Sequence, residues 1–555
     1  MPSSVIGGYG GAQSPPVTSK CIHIFRRDLR LHDNTALNLA CAAGYTTIIP
    51  IFIFAEHQVH REHNPNHRGL WGGYDPPYRS ANCIKFMLES VIDLHRMLCA
   101  AHYKSRLFTF YTKDEYALIE SLLRNDTSIT ALSFNSDFTE YSRSRDLKIE
   151  KIATKLGRRV ITSADDITLH PFSSIIPISS RSSHDSTSTS KAPATATSDE
   201  VEVEEKKEEV PSHQSHPSPS APSAPSAPSA PSAPPAPYLK FAPYYNNAIA
   251  KSVVEPSKLH LGGTRFINAA HHLSFEISLD DIVPKLYTTA EVADQYPPHQ
   301  GGRTHALKAL HAIGVTTCRD YDTNHDKLAY VTTRLSAFNK FGCISIREAF
   351  HWIVSKLGRK SALIRQFIWR DFFYNLHALR HYNESNGKYQ NVKWENNKTL
   401  FAKWCTGCTG VPVVDACMHE LNSTGFMHNR GRLIVSNFLV RLLHIDWKWG
   451  AKYFAQHLYD YDPIQNEYGW RISAHCSGIE SRPLYQTIMN PWLQSRKYDA
   501  DAVYIKKWLP VLRDIPANVI HKWNVYCTAP EYKTVYMAPI IDYEKEKKRS
   551  LALYN

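Results

Sequence analysis

The chain has 555 residues, 43% of them hydrophobic and 21% charged, and carries a net charge of +12 with an isoelectric point near 9.0. That length suits two or more domains with ample core. No run of eighteen apolar residues and no basic-then-apolar leader is present, which argues against a membrane span or secretion and for an intracellular protein, nuclear or cytoplasmic. Eleven cysteines without a framework fit reduced thiols. The basic balance permits an acidic partner, although a solvated surface explains it equally well.

Residues 1–18 read as a flexible polar tail. From 19 to 177 strands and helices alternate. CIHIF (21–25), TTIIPIFIF (46–54), SRLFTFY (105–111), ITALSFN (129–135) and RVITSAD (159–165) are short apolar or β-branched runs, and NTALNLACAAG (34–44) is a helix ending at glycine. Such runs separated by helical patterns predict a parallel sheet covered on both faces, a Rossmann-like α/β domain. RRDLRLHDN (26–34) follows the first strand directly, at the sheet end where α/β folds place ligands. The plainer reading, that Arg26, Arg27 and Asp28 form an ion-paired network stabilising the loop, is preferred to ligand binding.

Residues 178–236 differ in kind. Ser/Thr-rich sequence leads into DEVEVEEKKEEV (199–210) and then a tract of Ser-Ala-Pro repeats. This composition buries too little apolar surface to offset its ordering entropy, so a disordered insertion is expected, and nothing in it names a partner. Eight acids against four Lys or Arg give the insertion and the proline that follows it a net −4, leaving +16 on the rest of a +12 chain. Residues 237–299 connect to a helical domain over 300–530. There GGRTHALKALHAI (301–313), SIREAFHWIVSKL (345–357) and SALIRQFIWRDFFYNLHAL (361–379) space apolar residues helically. Residues 531–555 read as a C-terminal tail, KEKKR (545–549) being a solvated charge run rather than a localisation signal. Cys405, Cys408, Cys417 and His419 suggest zinc, but no second paired half follows at finger spacing, and no metal is expected.

The densest chemistry lies in 424–470, TGFMHNRGRLIVSNFLVRLLHIDWKWGAKYFAQHLYDYDPIQNEYGW, where donors, apolar residues, two acids and aromatics follow in order. Its HNRGR, IDWKWGAKYF, DYDPxxN and GW strings resemble the flavin-binding core of the photolyase and cryptochrome family. The likeness extends through TTRLSAFNKFG (332–342), FIWRDFFYN (367–375), VKW (392–394), FAKWCTGCTGVPVVDACMHEL (401–421) and NPWLQSRKYDADAVYIKKWLP (490–510), with RRDLRLHDN as the matching N-terminal signature. The resemblance implies an α/β Rossmann-like N-terminal antenna domain plus an all-α C-terminal FAD-binding domain. It implies FAD, and in some members a second antenna chromophore, a folate or a deazaflavin. Folate-binding bacterial relatives carry a glutamate after the third strand, where this chain has Thr139 with Glu140 beside it.

On the cofactor, the resemblance assigns Tyr321 to the adenine side and Thr332, Thr333, Arg334, Leu335 and Ser336 to the phosphates, together with Arg370. A helix cap alone also explains the Thr and Ser residues. Arg432 with Asp460 falls beside the isoalloxazine, Asp462 at its polar edge, and Asn466 faces flavin N5, where asparagine favours repair over signalling. Trp470, Trp447 and Trp394 fall on the family's electron-carrying tryptophans. Gln366, Trp369, Asn429, Arg430, Leu433 and Ile472 fall on the lesion side, Trp369 as the aromatic wall for the flipped dimer. HNR at 428–430 resembles class I cyclobutane dimer photolyases. Gln366 in place of a glutamate, Leu433 in place of a methionine and Ile472 in place of a second tryptophan depart from that class, and other strings echo DASH cryptochromes. The expected function is light-driven repair of cyclobutane pyrimidine dimers in UV-damaged DNA by a monomer. Single-strand repair of the DASH type and a blue-light receptor are the alternatives.

Overall fold

The computed structural model describes residues 19–59, 79–171, 174, 238–292, 300–379, 392–479 and 482–554. The expected N-terminal tail and the 178–236 insertion lie outside the described residues. Five strands form where apolar runs predicted them: β1 Lys20–Phe25, β2 Thr47–Ala55, β3 Phe108–Thr112, β4 Ile129–Asn135 and β5 Arg159–Ser163. All pair in parallel, in the order β3-β2-β1-β4-β5. Starting at the middle strand and winding outward first to one side and then to the other places β1 and β4 side by side, so their carboxyl ends open a crevice. A sixth strand, β6 Arg265–Phe266, pairs in parallel with Thr47 and Ile48 at the start of β2. Two residues carry no readable period, so the sequence reading of 237–299 as a connection did not include it.

Helix Thr35–Ala42 starts at Asn34, whose side chain accepts from the Leu37 amide, and helix Glu140–Lys155 starts at Thr139 in the same manner. Both close the loops at the strand ends. The RRDLR loop is clamped onto the helical half: the Leu29 amide donates to the Phe341 carbonyl at 3.0 Å. Gly342, at φ +60°, lies so close that an added Cβ would sit 2.2 Å from the Arg27 carbonyl oxygen. Phe86 packs on Phe338 and Phe341 at 5.1 and 5.8 Å between ring centroids, so one apolar core runs from the sheet into the helices.

The three predicted helices appear as Arg303–Ala312, Ile346–Leu357 and Ala362–Leu379. Beyond them, Pro412, Pro463 and Pro491 each occupy the first turn of a helix, where their missing N–H costs nothing. A second core gathers around the fully buried Trp404 and Trp523. The C-terminus differs from the expected tail. Asp542 caps a helix over Tyr543–Leu553, His444 Nε2 meets Glu546 at 2.8 Å, and buried Tyr554 donates to the Ala474 carbonyl at 3.0 Å. Of the charge run that looked solvated, Lys545, Lys548 and Arg549 are exposed, whereas Glu546 is buried on the docked side of this helix. Among the described residues no helix is long and apolar enough to cross a membrane.

Candidate functional site

Three helices converge in the C-terminal half: Pro463–Ser473 packs against both Ala362–Leu379 and Asn429–Asn437. Asp460, just before the first of these, is buried, and both its carboxylate oxygens accept from Arg432 Nη2, at 3.0 and 2.8 Å. Arg432 Nε donates to the Met427 carbonyl at 2.9 Å, which fixes the fork. Asp462 is spent differently. One oxygen accepts from the Ile464 and Gln465 amides at 3.1 Å, capping the helix, and the other accepts from Arg27 Nη2 at 2.5 Å and from the Tyr374 hydroxyl. Burial pushes its carboxyl up, but Arg27, Lys340 and the Tyr374 hydrogen bond outweigh burial and hold it well below the usual carboxylate range.

Beside this pair the site has donors without acceptors. His428 is buried and its Nδ1 accepts from the Arg430 amide at 3.1 Å, so a neutral ring must carry its proton on Nε2. Burial first, with Arg430 and Arg432 adding to it against Asp326, pushes that imidazole down to about 4, so it is neutral at pH 7. His428 Nε2 and Arg430 Nε are both buried and lack a protein partner. A buried unsatisfied donor costs ~1–3 kcal/mol, and an anionic ligand removes that cost. Arg430 Nη2 pairs with Asp326 at 2.6 Å and its guanidinium lies 4.2 Å over the Tyr498 ring, so the residue expected on the lesion side is largely engaged within the protein.

Tyr321 stacks on His325 at 5.2 Å and 15°, next to Asp326. Arg334 holds a left-handed backbone, φ +51°, and lies 4.4 Å over Phe426, whose ring Arg432 also approaches at 5.6 Å. The helix-cap reading of TTRLS does not hold. The helix Ser336–Lys340 is five residues long and is preceded by Leu335, with no side-chain cap bond. Thr333 only accepts from the Leu335 amide at 3.4 Å. Thr332 and Ser336 make no cap, and Leu335 is buried behind them.

Trp470 is buried, whereas Trp447 and Trp394 are half-buried. Gly450 makes room for Trp470: a Cβ there would lie 2.1 Å from the indole ring. Arg471 sits 5.1 Å over Trp447, and Trp394 meets Tyr554 edge-on at 5.8 Å. The sequence reading did not single out Trp404, which meets Trp470 edge-on at 6.1 Å and donates to the Val435 carbonyl at 3.1 Å. It appeared there only as one letter of the string FAKWCTGCTGVPVVDACMHEL (401–421).

On the expected lesion side, Gln366, Trp369, Leu433 and Ile472 are half-buried and Asn429 is exposed. One face of Trp369 is covered by Phe241, stacked at 3.6 Å and 7°. Two residues assigned to the cofactor also hold backbone carbonyls of the protein. Arg370 Nη1 donates to the Ile167 carbonyl at 2.7 Å and the guanidinium lies 4.8 Å over Tyr374, toward the α/β half. Asn466 Nδ2 donates to the Ala451 carbonyl at 3.0 Å. Their motif fixed their position on the helix, not their rotamer. The cysteine cluster has internal partners: His419 Nε2 donates to the Gly407 carbonyl at 3.3 Å, and Cys417 is buried within its helix.

A cavity of about 810 Å³ opens at the carboxyl ends of β1, β2 and β4, and Trp447 and Asn466 of the helical half also line it. The RRDLRLHDN loop forms part of its wall and is also the ion-paired network expected. Arg26 pairs with Asp146 at 2.6 Å, Arg30 with Asp166 at 2.7 Å, and Asp28 accepts from the Arg26 amide and from Asn135 at 2.7 and 2.6 Å. Two wall residues keep buried donors without a partner, Arg26 Nη2 and Arg145 Nη2. His57 and Tyr141 line the same space with their side chains 2.8 Å apart, and Tyr141 donates to Glu115 at 2.9 Å. Glu140 is exposed, and Glu115, which no motif had marked, lines the cavity together with Asp28, Asp137, Asp166 and Glu467.

Two sequence families match the chain, one described as DNA photolyase over residues 21–209 and one as the FAD binding domain of DNA photolyase over residues 363–555. The deoxyribodipyrimidine photo-lyase of Escherichia coli is 25% identical over 554 residues, 96% of this chain and 97% of that protein. That of Synechococcus sp. is 37% identical over 273 residues, so the match spans 46% of this chain and about half, 55%, of the relative. Among solved structures, an archaeal photolyase from Sulfolobus tokodaii with two FAD molecules superposes with a TM-score of 0.70 at 28% identity, covering 96% of this chain and 99% of the other.

Proposed function

The chain belongs to the photolyase and cryptochrome family, and from that premise we propose that it is a light-dependent DNA repair lyase acting on cyclobutane pyrimidine dimers. The observation that carries this reading is the pair of buried, unpartnered donors, His428 Nε2 and Arg430 Nε, beside the Arg432–Asp460 ion pair. Donors held with nothing to accept from them fit an anionic cofactor, and the aromatic surroundings fit a ring system. FAD bound there in reduced form and excited by blue or near-ultraviolet light supplies the electron that splits the dimer and recovers it, so the reaction is redox-neutral overall.

The protein's part is to hold, orient and exclude. Arg432 and Asp460 present fixed opposite charges on a buried face, a preorganised field that needs no rearrangement as charge moves. Thr332 and Ser336, making no cap, remain to meet the diphosphate, and Tyr321 with its stacked His325 forms an aromatic shelf. Trp369, held by Phe241 on one face, offers the other to a base turned out of the helix, with Gln366 one turn away to hydrogen-bond it. Trp470 is buried and Trp447 and Trp394 are half-buried, a series of oxidisable indoles that would carry electrons inward to an oxidised flavin if one were bound. The cavity at the sheet ends, with Arg26 and Arg145 donors and the Tyr141 ring, suits a second, anionic aromatic chromophore. The DNA lies on the basic body of the molecule.

The test is loss of cyclobutane dimers from duplex and single-stranded oligonucleotides, followed chromatographically with the photoreduced protein in light and in darkness. Light-dependent loss from both substrates supports the reading. Loss from single strands alone assigns the protein to the DASH type, and no light-dependent loss from either overturns the lyase.

A further inference from the structure

Arg27 comes from the α/β half, yet it ends on an acid of the helical site. Its Nε donates to the Lys340 carbonyl at 3.0 Å, Nη1 to both oxygens of Asp137 at 3.1 Å, and Nη2 to the Tyr374 hydroxyl at 2.7 Å and to Asp462 at 2.5 Å. Every guanidinium nitrogen is used, and the backbone behind it is pinned by Gly342. Asp462 is equally committed, one oxygen to Arg27 and Tyr374 and the other to the first amides of helix Pro463–Ser473.

We infer that Arg27 is a positioning residue for the flavin site: by fixing Asp462 it sets the start of the helix that carries Asn466 and Trp470. This rests on the reading that FAD lies against Arg432, Asp460 and Asp462. The planar fork matters, because one group must meet two carboxylates and a phenol at once, which a lysine ammonium cannot do in the same plane. Without Arg27, Asp137 and Asp462 are left as neighbouring, largely buried acids with Lys340 as the cation that acts on both, and the outer oxygen of the carboxylate that caps the helix keeps only the Tyr374 hydroxyl. The inference assigns Arg27 no contact with the flavin.

The experiment compares wild type, Arg27→Gln, Arg27→Lys, Asp462→Asn, Arg432→Gln and the Arg27→Gln/Asp462→Asn double variant. FAD dissociation constants are read by flavin fluorescence, and amide exchange at Ile464 and Gln465 is read on apo-protein. Arg27→Gln is expected to weaken FAD about tenfold and to speed exchange at both amides, and Arg27→Lys to restore only part of each. In the double variant the Arg27 substitution is expected to add little to the effect of Asp462→Asn, since both act through one contact. Unchanged FAD affinity in Arg27→Gln, or effects of the two substitutions that simply multiply, overturns the inference while Arg432→Gln still weakens FAD. If Arg432→Gln and Asp462→Asn also leave the affinity unchanged, the placement of FAD itself is wrong, and the inference falls with it.

Discussion

Replacing Arg432 by glutamine leaves Asp460, whose side chain is only 2% exposed, as a buried charge without its partner. Breaking a buried pair in this way costs ~3–5 kcal/mol, and Arg432, at 28% exposure, puts this case at the lower end. The expected result is a lower urea midpoint and FAD binding weaker by at least tenfold, read by equilibrium dialysis. A second prediction concerns three buried histidines. Burial pushes His23 down to about 3 and His170 and His428 down to about 4. Their folded values lie below that of free imidazole, so the unfolded chain takes up the protons first. Their contribution is fully present above about pH 6.5 and is lost as pH falls toward 4, by roughly 3 kcal/mol for each fully buried ring. His170 Nε2 donates to the Ala248 carbonyl at 3.0 Å, a bond glutamine can imitate. His170→Gln should therefore flatten the fall of the urea midpoint between pH 7 and 4.5, and an unchanged slope would contradict the assignment. At this scale the sequence motifs named the Arg432–Asp460 pair correctly, because its two ends lie in separate motifs, HNRGR and DYDPxxN, of the same 424–470 stretch. They did not reveal that Arg370 and Asn466 turn to backbone carbonyls, since a rotamer depends on neighbours far away in the chain. His428 was counted among the donors that open the 424–470 stretch but was given no role, and its place as the helix N-cap uses one of its ring nitrogens.

The elements most exposed to test are those whose packing leaves no slack. Gly450 faces Trp470 across helices Trp447–His457 and Pro463–Ser473, where an added methyl would overlap the indole. Gly450→Ala should cost ~1–3 kcal/mol through overpacking, the 2.1 Å separation placing it at the upper end, against the ~1 kcal/mol gained from better helix propensity. Trp470 must shift to accommodate it, so light-driven reduction of oxidised flavin should slow as well, which transient absorption would record. Trp470→Phe should abolish that photoreduction and leave repair by chemically reduced protein intact. The strand and helix pattern was readable because apolar periodicity persists over five or more residues in β1 to β5 and over ten in the helices. It failed where an element is too short, as at β6, or where a charged surface hides a buried edge, as in helix Tyr543–Leu553. The capping aspartate before that helix, Asp542, was the available signal.

For the whole molecule, the net +16 left when the acidic insertion is set aside places an electrostatic surface on the folded body. Binding of dimer-containing duplex should weaken steeply with salt, about a thousandfold between 50 and 200 mM if some six phosphates are met, and fluorescence anisotropy across that range would measure the slope. A flat response would argue against backbone binding on this surface. The two-part architecture was legible because composition changes abruptly at 178 and periodicity changes near 300. The α/β half's reach into the helical site was not, because the Arg27–Asp462 contact joins residues 435 positions apart. The most direct test of the central claim is a titration of apo-protein with FAD under illumination, following dimers split per bound FAD in wild type, Arg432→Gln and Arg145→Gln. Repair that rises with FAD occupancy, falls with Arg432→Gln and survives Arg145→Gln is the predicted result. Repair that is independent of light, or that is lost with Arg145→Gln and kept with Arg432→Gln, would contradict the account.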